Sequence, residues 1–278
     1  MQKIHKILIG IAFSPNLKPN LFEAVRICNM FNAELIGVHV GEKTIKKETD
    51  LQQILSEAEV LKKPIKTVWQ EGEPVKVILN TVIEEQIDLL ILGALQKENL
   101  LKYYVGSIAR KLTRKASCSI LLLIKPSIER QACKHIVVNG LKDDKTEETI
   151  RTSVLFSKHL MCKKVTIVEE ISQSELQVKV DDDKSLRKAT IIKKRLKNRE
   201  DQRVKNILKG IDSEDISIQM QSIFGTRGYS IGHYAKIKRA DLLVMNAPTN
   251  VGILDRIFPH DIESVSYTHL TLPTNREV

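Results

Sequence analysis

Gly93, Gly106 and Ser107 are the residues of this chain best placed to do chemistry. They lie in DLLILGALQKENLLKYYVGSIARKL, where an apolar run from Asp88 to Leu92 gives way to a loop and then to a Gly-Ser pair opening a helix. Glycine lets backbone N–H groups approach an anion, the serine hydroxyl adds a donor, and a helix N-terminus supplies partial positive charge. Together these are the parts of a phosphate site. The same residues also read as a glycine turn and a helix start, which need no ligand.

The segment recurs. At an offset of 153 residues, Asp241-Leu242-Leu243-Val244-Met245 falls on Asp88-Leu89-Leu90-Ile91-Leu92, and Gly225 falls on Gly72. Near the start of each copy, Lys6-Ile7-Leu8-Ile9-Gly10 matches His135-Ile136-Val137-Val138-Asn139 at an offset of 129, so the second copy carries an insertion of 24 residues. The anion-friendly positions do not repeat: Gly93 becomes Asn246, and Gly106-Ser107 becomes Pro259-His260. Two copies of one unit, only the first equipped for an anion, is the organisation expected.

Those residues need rigid elements to hold them, and the apolar pattern supplies them. In the first copy, strands are expected at Ile7–Ile11, Glu34–Val40, Ile65–Trp69, Asp88–Leu92 and Ile120–Ile124. Helices are expected at Asn20–Phe31, Thr44–Lys62, from Pro74 onward, and Ser107–Lys115. Continuous apolar strands alternating with helices predict a parallel sheet covered on both faces. The fold class is therefore α/β, with two tandem doubly wound parallel-sheet, Rossmann-like domains. In such sheets ligands bind beyond the carboxyl ends of the strands, which is where Gly93 stands.

Composition bounds the alternatives. At 278 residues with 42% apolar content the chain has material for about two ordinary cores. No apolar run approaches a membrane span and the N-terminus lacks a signal-peptide pattern, so a cytoplasmic protein with no membrane insertion is expected. Cys28, Cys118, Cys133 and Cys162 lie far apart in sequence with no metal-type spacing, so buried, reduced thiols and no metal site are expected. The net charge of +10 is shared by both copies. Its densest stretch, Lys184 to Lys209, holds eleven Lys/Arg against Glu200 and Asp201. Leu186, Ala189, Ile192, Leu196, Val204, Ile207 and Leu208 give that stretch a helical stripe with a flaw near Glu200. It reads as a cover helix, and the absence of aromatics argues against a nucleic-acid reader.

A first strand KILIGIAFS, the segment QEGEP before a helix, DLLILGA, and the Gly-Ser helix together resemble the universal stress protein family, in its tandem form. The resemblance implies a universal stress protein domain over 1–127 and a degenerate one over 133–264, lacking its last strand. It also implies an adenine nucleotide, ATP or a relative, bound in the first domain. The family's loop, Gly, two residues, Gly, nine residues, Gly-Ser, maps to Gly93, Gln96 and Gly106-Ser107. Gln96 departs from the pattern, and so does Ala12, where the family has an acidic residue after the first strand. Val38, with His39 beside it, would line the base side. The nucleotide-site residues expected are thus Gly93, Gly106, Ser107, Val38, Ala12 and Gln96.

The tail from about Val265, VSYTHLTLPTNREV, resembles translated sequencing-adapter sequence, and 265–278 is set aside from the fold. Without a last strand in the second copy, an exposed sheet edge is expected. No nucleophile elbow, zinc-protease helix or P-loop is present, so no catalytic residue and no enzyme are expected. The expected function is a cytoplasmic stress-response regulator that binds nucleotide without turnover, as a homodimer or an intramolecular pseudo-dimer, acting on an unknown protein partner. The alternative is a dimerisation or interaction module that binds no nucleotide.

Overall fold

The computed structural model describes residues 3–93, 95–96, 103–104, 106–172, 175, 182–225, 229–246 and 268–272. The chain divides into two compact units, the second beginning at Cys133. The first contains β1 (Lys6–Gly10), α1 (Leu17–Phe31), β2 (Glu34–Val40), α2 (Ile45–Glu57), β3 (Lys66–Gln70), α3 (Pro74–Glu84), β4 (Leu89–Gly93), the two-residue strands β5 (Leu95–Gln96) and β6 (Tyr103–Tyr104), α4 (Ser107–Lys115) and β7 (Ser119–Leu123). The second contains β8 (Ile136–Asn139), α5 (Thr146–His159), β9 (Lys164–Ser172), α6 (Asp183–Leu208), β10 (Ser217–Gly225), α7 (Tyr229–Ile237) and β11 (Leu242–Asn246). A last strand, β12 (Thr268–Leu272), belongs to the first unit. Among the described residues no helix is long and apolar enough to cross a membrane.

In the first unit the parallel strands run in the order β7-β4-β1-β2-β3, and in the second β10-β9-β8-β11. Both are doubly wound α/β sheets with the first strand of each copy inside, as the alternating pattern requires. Ile7, Leu8, Leu89, Leu90 and Ile91 are wholly buried, and so are Ile136, Val137 and Val138. The register is in step across the centre, with Leu8 opposite both Ile36 and Leu90. Burial on both faces explains why these strands are continuous apolar runs and not alternating ones.

One side chain fixes the central strand pair in each unit. The Asp88 carboxylate accepts from the N–H groups of His5 at 2.7 Å and Lys6 at 3.0 Å. Asp241 does the same for Lys134 at 2.8 Å and His135 at 2.9 Å. The acidic residue opening each DLL segment thus satisfies the backbone at the start of the neighbouring strand. Two helix ends in each unit are also matched. Asn32 after α1, Gln86 after α3, Met161 after α5 and Arg239 after α7 hold left-handed φ values of 53, 54, 54 and 50°.

Three expectations need correction. First, α1 starts at Leu17, three residues before the expected Asn20, with Pro19 inside its first turn. A proline in a first turn costs no intrahelical hydrogen bond, so it does not delay the start. Second, of Val75, Ile78, Leu79, Val82 and Ile83, the apolar residues that the helix from Pro74 was expected to carry, Ile83 is exposed, while Val77 and Thr81 are buried beside Val75, Ile78 and Val82. Third, the tail set aside from the fold contributes β12, which pairs antiparallel with β7, Leu270 opposite Leu121. Thr-His-Leu-Thr-Leu has the β-branched and alternating character that such an edge accepts.

The basic stretch forms α6, opened by a capping box in which Asp182 accepts from the Ser185 N–H at 2.7 Å. Ala189 and Val204 are buried, whereas Leu186 is half exposed and leaves the inward stripe. The flaw at Glu200 is a buried carboxylate lying on that stripe. It is held by Arg199 Nε and Arg203 Nε, each at 2.8 Å. Burial opposes its ionisation, and hydrogen bonds from Arg203 and Arg199 outweigh that, holding the carboxyl below its usual range.

Candidate functional site

The carboxyl ends of β1, β2 and β4 and the N-terminal ends of α1 and α4 share one edge of the first unit, because each helix runs back antiparallel to the strand it follows. Gly93 closes β4 there, paired with Leu123. A Cβ at Gly93 would sit 2.2 Å from Asn20 Nδ2, so the position is closed to any side chain while Asn20 keeps its place. Asn20 lies in the first turn of α1 and is 9% exposed. Its carboxamide oxygen has no hydrogen-bond partner. A buried acceptor without a donor costs about 1–3 kcal/mol, and this one borders the residue that sequence reasoning placed at the anion.

Gly106 is the N-cap of α4, at φ −63° and ψ 164°. That conformation is open to all residues, so glycine is not required there by backbone angle. The carbonyl of Gly106 accepts from Arg110 N–H at 3.1 Å, and no side chain caps the helix. In contrast, α2 is capped by Thr44 and α3 by Glu73, whose carboxylate accepts from Val75 and Lys76. The N–H groups of Ser107, Ile108 and Ala109 therefore lack intrahelical acceptors. Ser107 itself is exposed.

On the other side of the edge, Val38 is buried in the sheet and its carbonyl accepts from Ile11 N–H at 2.8 Å. Its contribution to a surface is consequently through its neighbours. His39 is buried; its Nδ1 lies 3.0 Å from the Ile11 carbonyl and its Nε2 3.2 Å from Lys47 Nζ. Nδ1 donating and Nε2 accepting is the arrangement of a neutral imidazole. Phe13 and Trp69 each meet the His39 ring edge-on at 5.0 Å, and they stack on each other at 6.2 Å. Ala12, exposed between Ile11 and Phe13, leaves this aromatic group uncovered by an acidic side chain. Gln96 belongs to β5, opposite Tyr103 of β6. Lys97, Glu98 and Lys102 lie outside the described residues, as do Pro259 and His260.

Sequence reasoning thus located Gly93, Gly106-Ser107 and Ala12 at one edge but missed Asn20, Phe13 and Trp69. Asn20 carried a signal: a polar residue beside Leu21 and Ala24 on the buried face of α1. The aromatic residues come from separate strand ends, and only the pairing of β1, β2 and β3 unites them.

The equivalent edge of the second unit is built differently. Register places Asn139 opposite Val168, as Gly10 is opposite Val38, so Glu169 occupies the place of His39. Glu169 is buried, with Oε2 accepting from Ser222 Oγ at 3.1 Å and Oε1 unpartnered. Burial pushes its carboxyl up to about 7, against the Ser222 hydrogen bond and the Arg203 charge. Glu170 accepts from the Ile231 N–H of α7 at 2.7 Å. Arg203 reaches across to the Gly140 carbonyl. Asp143 accepts from the Lys145 N–H at 2.9 Å, which makes it a turn residue. Acidic side chains here face inward and engage the protein itself, which does not suit an anionic ligand.

Residues 3–123 match the model of the universal stress protein family. Universal stress protein YxiE of Bacillus subtilis is 24% identical over 145 residues, spanning 43% of this chain and 98% of that protein. A universal stress protein of Methanocaldococcus jannaschii is 25% identical over 125 residues, spanning 38% of this chain and 74% of that protein. Among solved structures, a universal stress protein from Archaeoglobus fulgidus superposes with a TM-score of 0.63 at 13% identity, covering 96% of this chain and 95% of the other. A putative universal stress protein from Pseudomonas aeruginosa gives 0.64 at 14%, covering 97% and 93%. At these identities the structural likeness is one of fold.

Proposed function

From the match of residues 3–123 to the universal stress protein family, we propose that the first unit binds an adenine nucleotide, ATP or a relative, and signals by occupancy without turnover in the cytoplasm. The observation that carries this reading is the unpartnered Asn20 oxygen against Gly93, on the same sheet edge as the uncapped start of α4. Phosphate takes the free N–H groups of α4 and the Ser107 hydroxyl. Gly93 permits close approach of the loop. The Asn20 oxygen receives a hydroxyl or amino hydrogen from the ligand. The base lies toward Phe13 and Trp69, whose rings offer apolar, polarisable faces. Hydrolysis would require a positioned water, a group to orient it, and cationic charge on the transferring phosphoryl group. Backbone donors, one hydroxyl and one carboxamide hold a nucleotide without supplying that set.

Calorimetric titration of the full chain with ATP, ADP and AMP tests the reading. Binding is expected, and Ser107→Ala combined with Gly106→Val should weaken it at least about tenfold, the equivalent of roughly 1.4 kcal/mol. No heat and no thermal shift at millimolar nucleotide defeats it. If the double substitution instead changes oligomeric state, with nucleotide inert, the interaction-module reading takes its place.

The basic face of α6 has a different expectation. Its Lys193 lies 5.5 Å from the Phe224 ring, and two of its four arginines, Arg199 and Arg203, are engaged by Glu200 and Glu175. No specific nucleic-acid binding is expected from it. Gel-shift titrations at ~0.15 M salt should show no submicromolar DNA complex; one that disappears on replacing Lys193, Lys194, Arg195 and Lys197 by Gln would overturn this.

A further inference from the structure

Cys133 and Cys162, remote in sequence, are brought together at the amino ends of β8 and β9. Ile136 is the register partner of Val165. Continued back three residues on each parallel strand, that register sets Cys133 opposite Cys162. The continuation is held on both sides. Lys134 and His135 N–H groups are fixed by Asp241, and the His135 ring reaches Thr166 Oγ1 at 2.8 Å. On the other strand, the Lys163 carbonyl accepts from Ser217 N–H at 2.8 Å. Neighbouring strands lie ~4.8 Å apart, within the ~4.4–6.8 Å Cα span that a disulfide bridges. The four cysteines stand far apart in sequence, and the extended register of β8 and β9 brings two of them together.

We propose that Cys133 and Cys162 form a reversible dithiol, oxidised to an intramolecular disulfide by hydroperoxides. A hydrogen bond from the Cys133 thiol, against burial, draws the Cys162 thiol below its usual range. Asp241 opposes ionisation of both sulfurs, while the backbone at Lys164 and Ile136 favours it at Cys162. Cys133 is half-buried and Cys162 buried. The Cys162 thiolate attacks a peroxide oxygen, the O–O bond breaks, and a sulfenic acid results, the departing hydroxide leaving as water with the proton of the Cys133 thiol. The Cys133 thiolate so formed then attacks the sulfenic sulfur, the S–O bond breaks, and hydroxide leaves as water after taking a proton. In total two thiols lose two electrons and two protons, and hydrogen peroxide becomes two waters.

The chain contains its own controls. Burial pushes Cys28 up to about 11 and Cys118 up to about 12, and Cys28 Sγ is engaged by the Ala33 carbonyl at 2.9 Å. Both lie in the first unit, away from any second thiol.

The test is mass spectrometry of the full-length protein after dilute hydrogen peroxide, followed by alkylation under denaturing conditions. The expected product is a peptide pair cross-linked through Cys133 and Cys162, reversed by dithiothreitol, with Cys28 and Cys118 still alkylated. The cross-link should form roughly tenfold faster than any oxidation of those two, and faster above neutral pH than below it. Cys133→Ser should convert the product into a Cys162 sulfenic or sulfinic acid. Two independent results overturn the proposal: oxidation of Cys162 in the parent protein without a cross-link, or oxidation of Cys28 or Cys118 at a comparable rate.

Discussion

Replacing Glu169 by glutamine is expected to stabilise the second unit at about pH 8 by up to roughly 3 kcal/mol, with no gain below about pH 4.5. Burial raises the Glu169 carboxyl from 4.5 to about 7, with Asp201 and Glu200 adding like-charge repulsion. Between those two values the folded unit binds a proton that the unfolded chain has released. Stability from the neutral carboxyl is therefore complete at low pH and is lost as pH rises through about 7. Glutamine keeps an acceptor for the Ser222 hydroxyl at 3.1 Å and has nothing to ionise. Amide exchange of β9, compared between parent and variant at about pH 5 and about pH 8, reads the effect where it arises. Equal protection of the two proteins at the higher pH would mean that Glu169 stays ionised at no cost.

The second large effect lies at Gly93. A methyl group there collides with the Asn20 carboxamide, so Gly93→Ala should cost about 1–3 kcal/mol in stability and remove the nucleotide response. Asn20→Ala alone should be close to neutral in stability, because it deletes an acceptor that no donor satisfies. In that background Gly93→Ala should cost less than about 1 kcal/mol, since its collision partner is gone. Chemical denaturation of the four proteins measures the coupling directly. Additive losses would show that the collision at 2.2 Å relaxes elsewhere. Nucleotide titration of Asn20→Ala separates packing from recognition: weaker binding by a normally stable protein assigns the oxygen to the ligand.

Much of this architecture was legible because strands buried on both faces write themselves as unbroken apolar runs. Ile7-Leu8-Ile9 and Leu89-Leu90-Ile91 admit few other readings. Glu34–Val40 and Ser107–Lys115 match the strand and helix found. Legibility fails where a contact depends on pairing between distant segments. The Phe13–His39–Trp69 group and the Cys133–Cys162 pair exist only once neighbouring strands are in register. Glu200 shows a related limit. A charge on an apolar stripe looks like an interruption, although two arginines one and three residues away make it part of the packing. Asn20 is the most informative miss for function, because an inward polar residue on α1 is visible in the sequence, yet its nearness to Gly93 is not.

The left-handed helix ends carry a record of descent. Asn32 and Met161 are 129 residues apart, and Gln86 and Arg239 are 153 apart, the two offsets that align the copies themselves. Only asparagine among the four is a residue that takes this conformation readily, and glycine, which takes it freely, stands at none of them. The ancestral unit therefore survives here as a pattern of torsion angles that outlived the side chains once suited to it. The two copies differ where Gly93 faces Asn246 in the alignment, where His39 is replaced by Glu169, and over most of their length. They do not differ in how a helix turns back into the sheet.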